Sequence, residues 1–105
     1  MNDELIKDTA RMFAVEIMND TEMIKYLDNG LIEYNGDDEM TIKEFIETLV
    51  EWEDRGACTS DYFSGMLMFR DEFYIEDEYG DRVQADLTPI VKEYFRILST
   101  EWVGK

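Results

Sequence analysis

Glu44, Glu47, Glu51 and Asp54 are spaced three, four and three residues apart. On an α-helix that spacing puts all four carboxylates on one face. Neighbours along such a stripe lie about 5 to 6 Å apart, from a rise of ~1.5 Å per residue. The phosphates of one nucleic-acid strand repeat every ~3.4 Å, within a factor of two of that step. Each like-charge pair at this spacing destabilises a helix by ~0.2 to 0.5 kcal/mol. Lysine at Glu47 or Glu51 would relieve the repulsion, yet the sequence keeps acid there. The chemistry such a stripe can do is recognition of positive charge.

Two further clusters have the same character. One is Asp37, Asp38 and Glu39. The other is the segment DEFYIEDEYGD, residues 71 to 81, with six carboxylates, three aromatics and no base. Its aromatic side chains can anchor the segment to a core or a partner while Asp71, Glu72, Glu76, Asp77 and Glu78 project at set positions. Tyrosine is favoured as an interface anchor, and Tyr79 completes the expected partner-binding set. An ordinary solvated surface intersperses both signs of charge, and these clusters do not. A halophilic surface would also be acidic, but the abundant Ile, Met, Phe and Tyr are those of an ordinary core.

Carboxylates can also bind hard cations or act as acid and base. The stretch 33 to 45 (EYNGDDEMTIKEF) superficially resembles a calcium loop and its exit helix. That pattern needs glycine at its sixth position and glutamate at its twelfth. With Glu44 twelfth, the sixth residue is Asp38; counted from Asn35, the twelfth is Ile46. Both registers fail, so a carboxylate-based metal-binding domain or enzyme stands only as an alternative from another class. No acid pair is singled out for hydrolysis by a neighbouring apolar pocket. The chain has no histidine, which removes the commonest general base and transition-metal ligand. Cys58, the single cysteine, has no histidine to activate it and is expected to be a small core residue. No glycine-rich phosphate loop is present, and no cofactor is implied.

Charge layout narrows the partners. The formal charge of −16 comes from 26 acids and 10 bases, and residues 1 to 80 carry all of it. Such a body repels nucleic acid and anionic membranes and attracts basic protein surfaces. A lone cysteine and the lack of a basic-then-apolar leader fit a cytoplasmic protein. No apolar run approaches the ~18 residues of a membrane span. Composition leaves self-association open.

The elements that must position these acids follow from periodicity. The chain, residues 1 to 105, is expected to be one acidic globular domain of mainly helical α+β class, with four or five short helices. A first helix spans 3 to 19, capped by Asn2 or Asp3, with Ile6, Ala10, Phe13 and Ile17 inward. A second, about 21 to 28, turns Met23, Ile24 and Leu27 inward and stops at Asn29-Gly30. Residues 31 to 36 form a short strand or a loop, with a turn signal at Asn35-Gly36. A third helix opens with the capping box Thr41 to Glu44, buries Ile42, Phe45, Ile46, Leu49 and Trp52, and closes at Arg55-Gly56. A fourth begins at Ser60 and runs to about 72, with Phe63, Met66, Leu67 and Arg70 on one side. The alternation of Phe73, Ile75, Val83, Ala85 and Leu87 favours a hairpin over residues 73 to 87, turning at Tyr79-Gly80-Asp81, over a continued helix. The last helix has Thr88 as cap, Pro89 first, and Val91, Tyr94, Phe95, Leu98 and Trp102 packed.

The function expected from these features is a nucleic-acid mimic: an acidic inhibitor that blocks a basic nucleic-acid-handling protein. Size and folded acidity suit phage or mobile-element anti-defence proteins of the antirestriction or anti-CRISPR kind, an analogy of charge and size only. An immunity protein that neutralises a basic nuclease toxin uses the same physics.

Overall fold

The computed structural model describes residues 2 to 19, 31 to 34, 38 to 56 and 59 to 102, with residues 31 to 34 and 38 to 40 described by their backbone pairing. The first helix, α1 (Asp3–Met18), starts where the Asn2 side chain accepts the Leu5 N–H at 2.7 Å. Ala10 and Ala14 stand one turn apart on its buried face and are fully shielded. With only methyl groups there, α4 (Thr88–Ile97) can lie close against α1, and this is the most extensive helix pairing in the fold.

Between these two helices the described residues build two hairpins and two further helices. Strands β1 (Leu31–Tyr34) and β2 (Asp38–Thr41) pair antiparallel, with Leu31 opposite Thr41 and Tyr34 opposite Asp38. Of the two alternatives for residues 31 to 36, strand or loop, Leu31–Tyr34 is strand, and β2 is an element that its sequence, Asp-Glu-Met-Thr, did not announce. Helix α2 (Ile42–Asp54) follows at once, with the predicted capping box in place. The Thr41 hydroxyl accepts the Glu44 N–H at 3.1 Å while the Glu44 carboxylate reaches back to the Thr41 N–H. Helix α2 ends at Arg55, and Gly56 takes the positive φ of 85° that a side chain resists.

Helix α3 (Thr59–Met66) is shorter than the sequence suggests. It starts one residue before the expected Ser60 cap and stops near Gly65 rather than continuing to 72. Phe63 and Leu67 are buried, but Met66 and Arg70 face solvent, against expectation. A 3-10 turn (Asp71–Phe73) then drops Phe73 into the core and leads into β3 (Tyr74–Glu76). Strand β3 pairs with β4 (Arg82–Gln84), with Ile75 opposite Val83. The expected hairpin is present, and Gly80 turns it at a φ of 80°. Its burial differs from the pattern: Phe73 and Leu87 are buried at its base, whereas Ile75 is 52% exposed and Val83 also reaches solvent. The hairpin extends beyond the core rather than lying flat upon it.

Pro89 sits in the first turn of α4, but Thr88 is not the cap. Leu87 holds that position, and the Asp86 carboxylate accepts from the Thr88 N–H at 3.0 Å and from its hydroxyl. Helix α4 passes into a π-helical turn (Leu98–Trp102) that buries Leu98 and Trp102. The second helix, Met23, Ile24, Leu27, Asn29-Gly30, the Asn35-Gly36 turn and Cys58 lie outside the described residues.

The core is aromatic. Phe63 of α3 stacks on Phe13 of α1 with centroids 4.0 Å apart and meets the edge of Tyr94 of α4 at 5.1 Å. Phe45 of α2 meets Trp102 at 6.0 Å, which ties α2 to the C-terminal turn. Among the described residues no helix is long and apolar enough to cross a membrane.

Phe63 is 1% exposed and Phe69 is 86% exposed. We expect Phe63→Ala to destabilise the domain by ~3 to 5 kcal/mol, from lost burial and the cavity left behind. Phe69→Ala should change stability by less than ~0.5 kcal/mol. Chemical denaturation of the two variants checks this, and equal effects would refute the packing described.

Candidate partner-binding surface

Helix α2 presents the acidic stripe as its periodicity requires: Glu44, Glu47, Glu51 and Asp54 are all exposed, opposite buried Phe45 and Ile46. The four are not equivalent. Glu44 belongs to the capping box. Glu51 is ion-paired with Arg55 one turn later, at 2.5 Å. Glu47 and Asp54 have no ion pair among the described residues. Seven residues separate these two, about 10.5 Å along the axis, and the pairing of Glu51 breaks the even phosphate-like step along the stripe.

The second hairpin divides its acids in the same way. Asp71 pairs with Arg82, and that guanidinium also lies over the Tyr74 ring, 4.3 Å from its centroid. Glu72 pairs with Arg70 at 2.6 Å. Its carboxyl is held below the usual range by its own backbone N–H first and by Arg70 second. Asp77 builds the turn: its carboxylate accepts the N–H groups of Tyr79 and Asp81, both at 2.9 Å. Glu76 and Glu78 project into solvent without an ion pair among the described residues, and Tyr79 stands beside them at 81% exposure. Asp38 and Glu39 are placed on β2 by backbone pairing, and Asp37 lies outside the described residues.

All five arginines thus each hold one carboxylate; Arg11 with Glu101 and Arg96 with Glu93 complete the set. Arg96 holds the Glu93 carboxyl below its usual range. Asp86 is likewise lowered, by the Thr88 hydroxyl and then its N–H. These pairs consume the guanidinium charge and leave the anionic excess on the other acids, among them Glu47, Asp54, Glu76 and Glu78 of the expected set and also Asp3, Glu4, Asp8, Glu16, Asp61 and Asp81. The two groups of acids sit on different elements: α2 packs chiefly against α3, the first hairpin and the C-terminal turn, and the second hairpin is joined to α3 by Gln84, whose amide bonds Ser64.

Two features were not found from sequence. Glu53, on the apolar side of α2, accepts the Ser60 N–H at 3.0 Å and so satisfies a free donor at the start of α3. Met68, Phe69, Asp71, Tyr74 and Arg82 line an open groove of about 370 Å³ between the end of α3 and the second hairpin. The signal for it was the run Met66-Leu67-Met68-Phe69, which has more consecutive apolar residues than one helix face can bury. Among the described residues no three acids or cysteines converge to hold a metal ion. Glu44, the candidate twelfth ligand of a calcium loop, is engaged in the helix cap instead. No family model matches the chain, and no curated protein or solved structure matches it either.

Two outcomes follow from this charge layout. The domain should melt at higher temperature in moderate salt than in very low salt, because screening relieves the unpaired carboxylates. Glu47→Lys should raise low-salt stability by ~0.2 to 0.5 kcal/mol, whereas Glu51→Lys should not, since it also breaks the Arg55 pair; thermal melts of both variants decide. Burial pushes the Tyr94 phenol well above its ordinary value, with Tyr62 and Glu16 adding to the effect. The folded state therefore holds that proton more tightly than the unfolded chain. The associated stability is intact below pH ~10, the unfolded value, and is lost as pH rises through the folded one. Denaturation above pH ~10 should show a fall that Tyr94→Phe flattens.

Proposed function

We propose that this domain acts by binding rather than by catalysis, occupying a cationic surface of a nucleic-acid-handling protein and excluding its nucleic acid. The observation that carries this reading is that Glu47, Asp54, Glu76 and Glu78 stand on ordered elements without an ion pair among the described residues, while every arginine is consumed by another carboxylate. A solubilising surface would not need its acids on structured supports. Acids fixed on a helix and a tight turn lose little conformational entropy on docking, so charge attraction is retained as affinity. The same field repels nucleic acid and anionic lipid, which leaves a basic protein as partner. Small anti-defence inhibitors of phage or mobile elements work by this electrostatic competition, and we place the domain in that functional class as a proposal.

The test begins with capture of partners from host lysate on the immobilised domain at low salt, followed by elution in a salt gradient. The eluted partner should lose affinity for the domain steeply between about 0.05 and 0.5 M salt, as exposed charge pairs do. Duplex DNA or RNA should compete for the same site. The double reversal Glu47→Lys with Asp54→Lys should weaken binding ~10-fold or more while leaving the circular dichroism spectrum unchanged. A partner that keeps its nucleic acid when the domain is bound, or that binds the double reversal equally well, refutes the mimic.

A further inference from the structure

We infer that the groove between α3 and the second hairpin receives one large apolar side chain carried on a cationic segment of the partner protein. This inference rests on the proposed binding of a basic protein and adds the place where that protein is gripped. Met68 and Phe69 form the apolar lining and are both exposed, Phe69 almost completely. Tyr74 supplies an aromatic floor, fixed by its hydroxyl donating to the Met68 carbonyl at 3.1 Å. Arg82 covers part of that ring and is neutralised by Asp71. Tyr74, Arg82 and Asp71 thus hold one another in place along one wall of the groove. Methionine and aromatic residues are the types enriched at interface centres, and methionine adapts to the shape of an inserted group.

Charge decides the occupant. Glu76 is two residues from Tyr74 and opposite Arg82 in the sheet, so it shares the face that borders the groove. Residues 66 to 86 carry seven acids against two arginines, and both arginines are ion-paired. A second copy of this chain would bring an equal anionic hairpin against the first and is disfavoured by like charge, as are nucleic acid and an anionic membrane. A segment in which lysine or arginine flanks a phenylalanine, leucine or similar anchor satisfies both the apolar lining and the acidic border. The anchor supplies register and slow release, and the acids supply attraction and rate.

The test uses the full chain and two synthetic peptides of roughly nine residues, arginines flanking a central phenylalanine in one and a central alanine in the other. The phenylalanine peptide should bind at least ~10-fold more tightly, and should shift the backbone NMR signals of Met68, Phe69 and Tyr74. Phe69→Ala, and independently Met68→Ala, should erase the difference while leaving the salt-sensitive binding of the alanine peptide unchanged. If the wild type binds both peptides equally and in a salt-sensitive way, the groove proposal fails and the charge-based function stands. If neither peptide binds, both fail. If sedimentation shows a wild-type dimer that Phe69→Ala converts to monomer, the groove is a contact between copies of this chain and the proposal is overturned.

Discussion

The stack of Phe13, Phe63 and Tyr94 is the contact on which the rest of the molecule depends. It joins three helices from distant parts of the chain, with centroids 4.0 and 5.1 Å apart. A chain of formal charge −16 is driven apart by its own field. Apolar burial, which is insensitive to that field, has to offset it. The small residues Ala10 and Ala14 let α1 and α4 approach, and the aromatic stack fills the space that this leaves beside α3. Once these helices are locked, α2 and the second hairpin have a platform, and their acids have positions.

Carboxylates in this fold divide by task. Those of Glu44, Glu53, Asp77 and Asp86 satisfy backbone donors at helix starts and at a turn. Those of Glu51, Asp71, Glu72, Glu93 and Glu101 hold arginines. Much of the acidity is therefore structural, including part of what the spacing alone suggested was for a partner. The remainder is smaller, but it stands on supports made rigid by the first two groups.

Helices with strong boundary chemistry were legible in the sequence. Asn2 caps α1, the Thr41–Glu44 box opens α2, Gly56 lies just beyond its end, and Pro89 sits in the first turn of α4, as local hydrogen bonding and φ restriction require. The second hairpin was legible from alternation and from Gly80, but its burial was not. Alternation says that Ile75 and Val83 share a face; it does not say whether anything covers that face. Strand β2 was hidden because Asp-Glu-Met-Thr has poor strand propensity, and pairing with β1 overrides it. The end of α3 was misjudged because Met66 and Arg70 fit a helical stripe, whereas Leu67 alone takes the buried place. At the surface, spacing located the α2 stripe correctly. The pairing of Glu51 with Arg55 follows the four-residue spacing of a helix, whereas the pairing of Glu72 with Arg70 and of Asp71 with Arg82 depends on contacts that spacing does not encode.

Thr41 holds two positions at once: it is the last residue of β2, opposite Leu31, and the residue whose hydroxyl caps α2. Because the capping exchange lies wholly within residues 41 to 44, it fixes the point along the chain where extended backbone gives way to helix. The cap thus works as a full stop for the strand, setting where β2 ends whatever its own side chains prefer.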